Sequence, residues 1–285
     1  ERALATRFNR PGFPVVDHYT YVILGDGCLM EGISYEACSL AGIWGLGKLI
    51  GRYDDNGISI DGKVEGWFRE DVALRFEAMG WHVIANVDGH DPDAVHLAIE
   101  QARAFHERPT LICCKTTIAK GAPNKGGSEK SHGAPLGAEE VTATREAIGW
   151  RHEPFVIPSE IYRAFDACAK GAAWEAEWNE MFGRYRIQFP ERAAEFDRRL
   201  ACGFPDDWDA MAWEFIHATQ QRREDLATRA ASQRALQFYG PHFPSLVGGS
   251  ADLAESTGIP WVGSRPVDFE HPDGNLIFYG AREFA

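Results

Sequence analysis

The feature that most constrains this chain is an apolar run, Tyr19-Thr20-Tyr21-Val22-Ile23-Leu24, that stops at Gly25-Asp26-Gly27. A β-branched and aromatic run without polar alternation is the pattern of a parallel strand buried on both faces. Asp26 then stands at the carboxyl end of that strand. From Gly32 to Leu46, Ile33, Ala37, Leu40, Ala41 and Trp44 recur at spacings of three and four, which predicts a helix. Lys48 to Tyr53 predicts a second strand that ends just before Asp55 and Asn56. One strand–helix–strand unit therefore brings Asp26 and Asn56 to the same sheet edge, where ligands of open α/β sheets gather.

One carboxylate and one carboxamide suit magnesium, which takes about six oxygens and usually leaves several of them to phosphate and water. This reading assigns the Asp26 carboxylate, the Asn56 side-chain oxygen and a backbone carbonyl just beyond, at Ile58, to the metal. Gly27 lets the backbone approach a diphosphate. Taken alone, Gly-Asp-Gly is a strand-ending turn and Asp-Asn-Gly is another. The spacing and the flanking strands favour a site.

Trp81 to Val87 predicts a third strand, Asp91-Pro92 opens a helix, and Thr110 to Lys115 predicts a fourth strand. Strands alternating with helices imply an α/β fold, a parallel sheet with helices on both faces. Thr116 to Leu136 is polar, rich in Gly, Lys and Ser, and carries His132; its length points to function or disorder. Pro158 to Gln220 turns helical and charged, with Trp174, Trp178, Phe182 and Tyr185 on one face, a stripe that reads as packing rather than as a cofactor box. From Thr228 a new α/β pattern starts, with a helix over Ala230 to Phe238 and strands over Leu246 to Ser250 and Asn275 to Tyr279. With 285 residues, 45% of them apolar, the chain can bury a sizeable core. A formal charge of -13 disfavours a nucleic-acid surface. No run of about eighteen apolar residues marks a membrane span. The six cysteines lack paired metal-ligand spacing and read as reduced thiols of a cytoplasmic protein.

Gly25-Asp26-Gly27 with Asn56 downstream resembles the thiamine-diphosphate motif, and Asp54-Asp55-Asn56-Gly57-Ile58-Ser59-Ile60-Asp61-Gly62 is similar to transketolase. The resemblance continues in the family's order through Asp88-Gly89-His90-Asp91, Ser131-His132-Gly133-Ala134-Pro135-Leu136-Gly137, Gly248-Gly249-Ser250-Ala251-Asp252-Leu253 and Tyr279-Gly280-Ala281-Arg282-Glu283-Phe284. It implies a thiamine-diphosphate-binding fold: a diphosphate-binding domain over 1–157 lacking its amino-terminal part, a helical interdomain connection over 158–225, and the beginning of a pyrimidine-binding domain over 226–285. The implied cofactors are thiamine diphosphate and Mg2+, with Ca2+ or Mn2+ as substitutes. Asp26, Asn56 and Ile58 would bind the metal, and Gly27 and Asn56 would lie against the cofactor.

The same resemblance makes Glu283 the glutamate that contacts the aminopyrimidine ring, and His132 the histidine near diphosphate and substrate. Arg229 and Ser256 would grip substrate phosphate, and Asp252 would touch the cofactor across a homodimer. Glu31 and Glu36 match acidic residues that link the two active sites. Read singly, Glu283, His132 and Arg229 are ordinary surface groups; their contexts argue otherwise. Three departures stand out: Glu255-Ser256-Thr257-Gly258 replaces the proline and asparagine of many members, Arg52 takes a usually apolar strand position, and Lys120 replaces an aromatic.

The implied activity is transfer of a two-carbon ketol unit from xylulose 5-phosphate to ribose 5-phosphate, as in the pentose phosphate pathway or Calvin cycle, with sugar phosphates as the small-molecule partners. The enzymatic rivals are dihydroxyacetone synthase and 1-deoxyxylulose-5-phosphate synthase; the Ser-His-Gly-Ala-Pro-Leu-Gly block favours transketolase over the latter. A noncatalytic, partner-binding fragment is the reading from another class, opposed by the strand edges and apolar surface such a cut would expose. The chain opens with Glu1 and stops within a block resembling a helix start. An internal piece of a longer enzyme is therefore expected, inactive and weak in cofactor binding by itself.

Overall fold

The structure is a computed structural model and describes residues 1–284. Its contacts form two units, residues 18–171 and residues 1–17 with 172–283. This division differs from the sequence boundaries at 157 and 225, since the first seventeen residues group with the later part of the chain.

The strands of the 18–171 unit are β1 (Thr20–Gly25), β2 (Leu49–Asp55), the two-residue β3 (Ile58–Ser59) and β4 (Gly62–Lys63), β5 (His82–Asp88) and β6 (Thr110–Lys115). The main sheet has the order β1-β2-β6-β5 with every pair parallel, and β3 and β4 form a small hairpin. Alternation along β6 explains why helices cover both faces. Leu111 and Cys113 join Leu29, Ala41, Tyr53, Val72, Phe76 and Trp81 in one core, while Ile112 and Cys114 join Ile50, Val87, Ala98 and Ala102 in another. The helix Pro92–Ala104 starts where sequence places it, because Asp91 accepts from the Asp93 amide at 2.9 Å and proline stands in the first turn.

Two local readings need correction. β1 is not buried on both faces: Ile23 is 75% exposed, and Tyr21 and Val22 are exposed too. At the end of the strand order β1 has β2 as its single neighbour, whereas the equally apolar β6 lies inside the sheet and is buried from Thr110 to Cys114. The helix Gly32–Ile43 also stops three residues before Leu46. Gly45 takes φ +58, the left-handed conformation that commonly ends a helix one residue past its cap.

The polar segment after β6 is an ordered loop. The Glu140 carboxylate accepts from the Asn124 amide at 2.8 Å, the Asn124 side chain at 2.8 Å and the Lys125 amide at 2.9 Å. Those bonds, led by the Asn124 side chain, hold its carboxyl below the usual range. Lys125 Nζ donates to the Leu136 carbonyl at 2.7 Å.

In the other unit, Phe8, Phe13, Val15 and Val16 pack against Phe182, Tyr185 and Phe196. Tyr185 donates to the Phe8 carbonyl at 2.6 Å and Trp178 Nε1 to the Val15 carbonyl at 3.0 Å. The aromatic stripe is thus packing for Trp178, Phe182 and Tyr185, and Trp174 is exposed. Helices Trp208–Arg222 and Thr228–Tyr239 precede β7 (Gly248–Ser250) and β8 (Leu276–Phe278), which pair in parallel. Among the described residues no helix is long and apolar enough to cross a membrane.

Phe76 is 1% exposed and meets Trp81 edge-on at 5.0 Å. Phe76→Ala should lower unfolding free energy by about 3–5 kcal/mol, read from urea titration of the sheet unit; a loss under ~1 kcal/mol would contradict this account of the core.

Candidate cofactor and metal site

The register of β1 on β2 pairs Gly25 with Asp54, so the chain leaves both strands at one level and carries Asp26 next to Asp55 and Asn56. Asp26 opens the short helix Asp26–Met30 and is 4% exposed. Tyr53 donates its hydroxyl to Asp26 Oδ1 at 2.5 Å, and the Gly57 amide donates to Oδ2 at 3.0 Å. Burial pushes the Asp26 carboxyl up, and the bonds from Tyr53 and Gly57 offset this only in part. Gly57 has φ +67, a conformation that costs other residues strain, and it aims this amide at Asp26.

Asn56 is held from both ends. Its Oδ1 accepts from the Ile58 amide at 2.9 Å, and its Nδ2 donates to Asp54 Oδ2 at 3.2 Å. The Thr116 hydroxyl donates to the other Asp54 oxygen, and Asp55 pairs with Lys115. An ionised carboxylate only accepts, so Asp54 dictates which end of the amide faces it and leaves Oδ1 turned the other way. A cavity of about 350 Å³ has Asp26, Tyr53, Asp55, Gly57, Cys113 and Lys115 in its wall. The Cys113 thiol is pushed up to about 12 by burial, so it stays protonated and offers no thiolate.

Among the described residues no three His, Cys, Asp or Glu side chains gather as a metal cluster. The donors at the strand ends are instead one carboxylate, one carboxamide oxygen and the backbone after Asn56. That set fits a hard cation completed by phosphate oxygens and water, and it does not fit zinc, which prefers nitrogen and sulfur. A Cβ at Gly27 would meet nothing within 4 Å, so the backbone there is open to a ligand.

His132 follows the short turn Glu129–Ser131, and its Nδ1 is buried without a hydrogen-bond partner among the described residues. Leaving such an atom unpaired costs about 1–3 kcal/mol, which a bound polar group would recover. In the other unit, Arg229 in the first turn of Thr228–Tyr239 and Ser256 in Ala254–Thr257 line one cavity of about 320 Å³, with Gln233 and Glu255. Asp252 takes a left-handed φ of +63 in the turn after β7, and Glu283 is exposed; neither lines these two cavities. The structure thus brings Asp26, Asn56 and Ile58 together, and Arg229 with Ser256. Sequence reading overlooked Tyr53, Asp54 and Thr116 as partners of this site. The available signal was a tyrosine in an apolar strand, whose buried hydroxyl requires an acceptor.

Parallel strands ending in hard oxygen donors and an open glycine define the class as an α/β protein built to hold a phosphate-bearing ligand at its strand ends. Comparison with known proteins narrows this. Residues 1–205 match the family model described as transketolase, thiamine diphosphate binding domain, and the chain belongs to that family. It is 57% identical to transketolase 1 of Vibrio cholerae and 55% identical to transketolase 1 of Escherichia coli K12, each over 284 residues covering 100% of this chain and 43% of the relative. Among solved structures, a Pichia stipitis transketolase variant in complex with fructose 6-phosphate superposes with a TM-score of 0.90 at 37% identity, over 99% of this chain and 42% of that one. Transketolase from Leishmania mexicana gives a TM-score of 0.89 at 35% identity, with the same coverage of 99% and 42%. The chain spans less than half the length of these relatives. The thiamine-diphosphate-binding fold implied by the sequence is the observed one.

Asp26 is harder to ionise in the folded chain than in the unfolded one. The native state therefore holds its proton to higher pH, and stability declines as pH rises from the unfolded carboxyl value of about 3.9 through the higher folded value. In metal-free buffer Asp26→Asn should have the higher urea midpoint at pH 7, with the gap closing below about pH 4. A gap that widens towards low pH would contradict the direction of the shift.

Proposed function

We propose that this chain forms the diphosphate-binding part and the start of the pyrimidine-binding part of a transketolase. That enzyme would move a two-carbon ketol unit from a ketose phosphate such as xylulose 5-phosphate to an aldose phosphate such as ribose 5-phosphate. The observation that carries the reading is the buried Asp26 carboxylate, held by Tyr53 and by the amide of Gly57, the residue after Asn56. The relatives support it, including a Pichia stipitis structure in complex with sedoheptulose 7-phosphate.

Thiamine diphosphate, when bound, would supply a nucleophilic thiazolium C2 to add to a ketose carbonyl and a cationic ring to accept the electron pair of the carbon–carbon bond that then breaks. Asp26, Asn56 and the Ile58 carbonyl are the residues that would hold Mg2+ beside the diphosphate, and Ca2+ or Mn2+ would use the same oxygens. Gly27 gives the diphosphate room. His132, with its unpartnered Nδ1, would hydrogen-bond substrate or diphosphate oxygen. Arg229 binds the sugar's terminal phosphate through its forked guanidinium, with Ser256 adding a hydroxyl in the same cavity. Glu283 would contact the aminopyrimidine ring nitrogen and favour the imino tautomer, and Asp252 would contact cofactor held by the other subunit of a homodimer. A cytoplasmic setting agrees with six free cysteines.

Calorimetric titration of thiamine diphosphate, with and without magnesium, tests this beside Asp26→Ala. Binding should require magnesium and disappear in the variant. Binding that ignores magnesium, or that survives in the variant, would overturn the assignment of the strand-end oxygens.

A further inference from the structure

Tyr53 is 3% exposed and packs in the core that contains Leu111 and Cys113. Its ring is therefore fixed to the sheet, and its hydroxyl, which a buried site obliges to find an acceptor, donates to Asp26 Oδ1 at 2.5 Å. The Gly57 amide holds the second Asp26 oxygen at 3.0 Å. A carboxylate's terminal torsion is broad and roughly two-fold, so nothing intrinsic to aspartate sets the plane of its oxygens. Here a donor on each oxygen sets it. Both donors come from the end of β2 and its following turn, the segment that also carries Asn56. Each oxygen keeps further acceptor capacity after these bonds.

We infer that Tyr53 is a positioning residue for metal binding: its hydroxyl orients the Asp26 carboxylate so that Asp26 and Asn56 Oδ1 converge on one divalent cation. The inference rests on the metal role proposed above for Asp26. The alternative is that Tyr53 only fills the core and satisfies its own hydroxyl. Outer partners of metal ligands fix ligand orientation, and their loss costs about 10–100-fold in metal affinity.

The test is Mn2+ binding to the 285-residue chain with thiamine diphosphate present, read from the electron paramagnetic resonance signal of free aquo-Mn2+. Tyr53→Phe keeps the ring and removes the donor. It should stay folded by circular dichroism and raise the Mn2+ dissociation constant about 10–100-fold. Leu111→Ala truncates the same core away from the cavity wall while leaving the hydrogen bond in place, and should keep the parent affinity. If Tyr53→Phe binds Mn2+ like the parent chain while Asp26→Asn does not bind, Tyr53 has no positioning role and the metal assignment stands. If Leu111→Ala loses as much affinity as Tyr53→Phe, core packing explains the effect and the inference fails. If Asp26→Asn binds like the parent, or the parent binds no Mn2+, the inference falls together with the reading beneath it.

Discussion

The pairing of β1 with β2 in the register that sets Gly25 against Asp54 is the constraint on which the candidate site depends. Parallel strands end on the same side of a sheet, so this register delivers Asp26 and the Asp55-Asn56 turn to one level without help from distant loops. A shift by one residue would turn Tyr53 to the opposite face and separate its hydroxyl from Asp26. The core that holds the sheet together and the geometry of the donors are thus the same structure: Tyr53 belongs to the buried cluster and touches the carboxylate.

The site runs against the preference of the fold. A carboxylate with 4% exposure is harder to ionise than one in water, and its two hydrogen bonds recover only part of the lost hydration. The chain carries a formal charge of -13, yet the proposed ligand is itself anionic. A cation between Asp26 and a diphosphate would resolve both problems, because it would restore charge balance to the buried oxygen and screen the ligand from the acidic protein.

Much of this was legible in the residues. The strands at Thr20–Gly25, Leu49–Asp55, His82–Asp88 and Thr110–Lys115 stand where apolar runs place them, and Asp91-Pro92 marks a helix start by chemistry that is local. Position in the sheet was not legible. β1 and β6 have similar apolar character, but strand order decides that one is an edge and the other central, and strand order is set by packing between distant segments. The grouping of residues 1–17 with 172–283 escaped for the same reason, since the partners Phe8 and Tyr185 are far apart in sequence. The turns that carry Asp26, Asn56 and Ile58 were readable because their chemistry is local, whereas the Thr116 bond to Asp54 joins ends of separate strands. The juxtaposition of Arg229 with Ser256 needed the fold as well, despite the altered residues around Ser256.

The loop between β6 and the helix Ala138–Ala147 carries His132, and Glu140 ties it down through three bonds to Asn124 and Lys125. A segment of this length that ordered only around its ligand would charge its lost chain entropy to every binding event. Here three bonds within the chain supply part of that ordering. A polar ligand at His132 would then meet a loop already tied at Asn124 and Lys125, and less of its binding enthalpy and entropy would go into closing that loop.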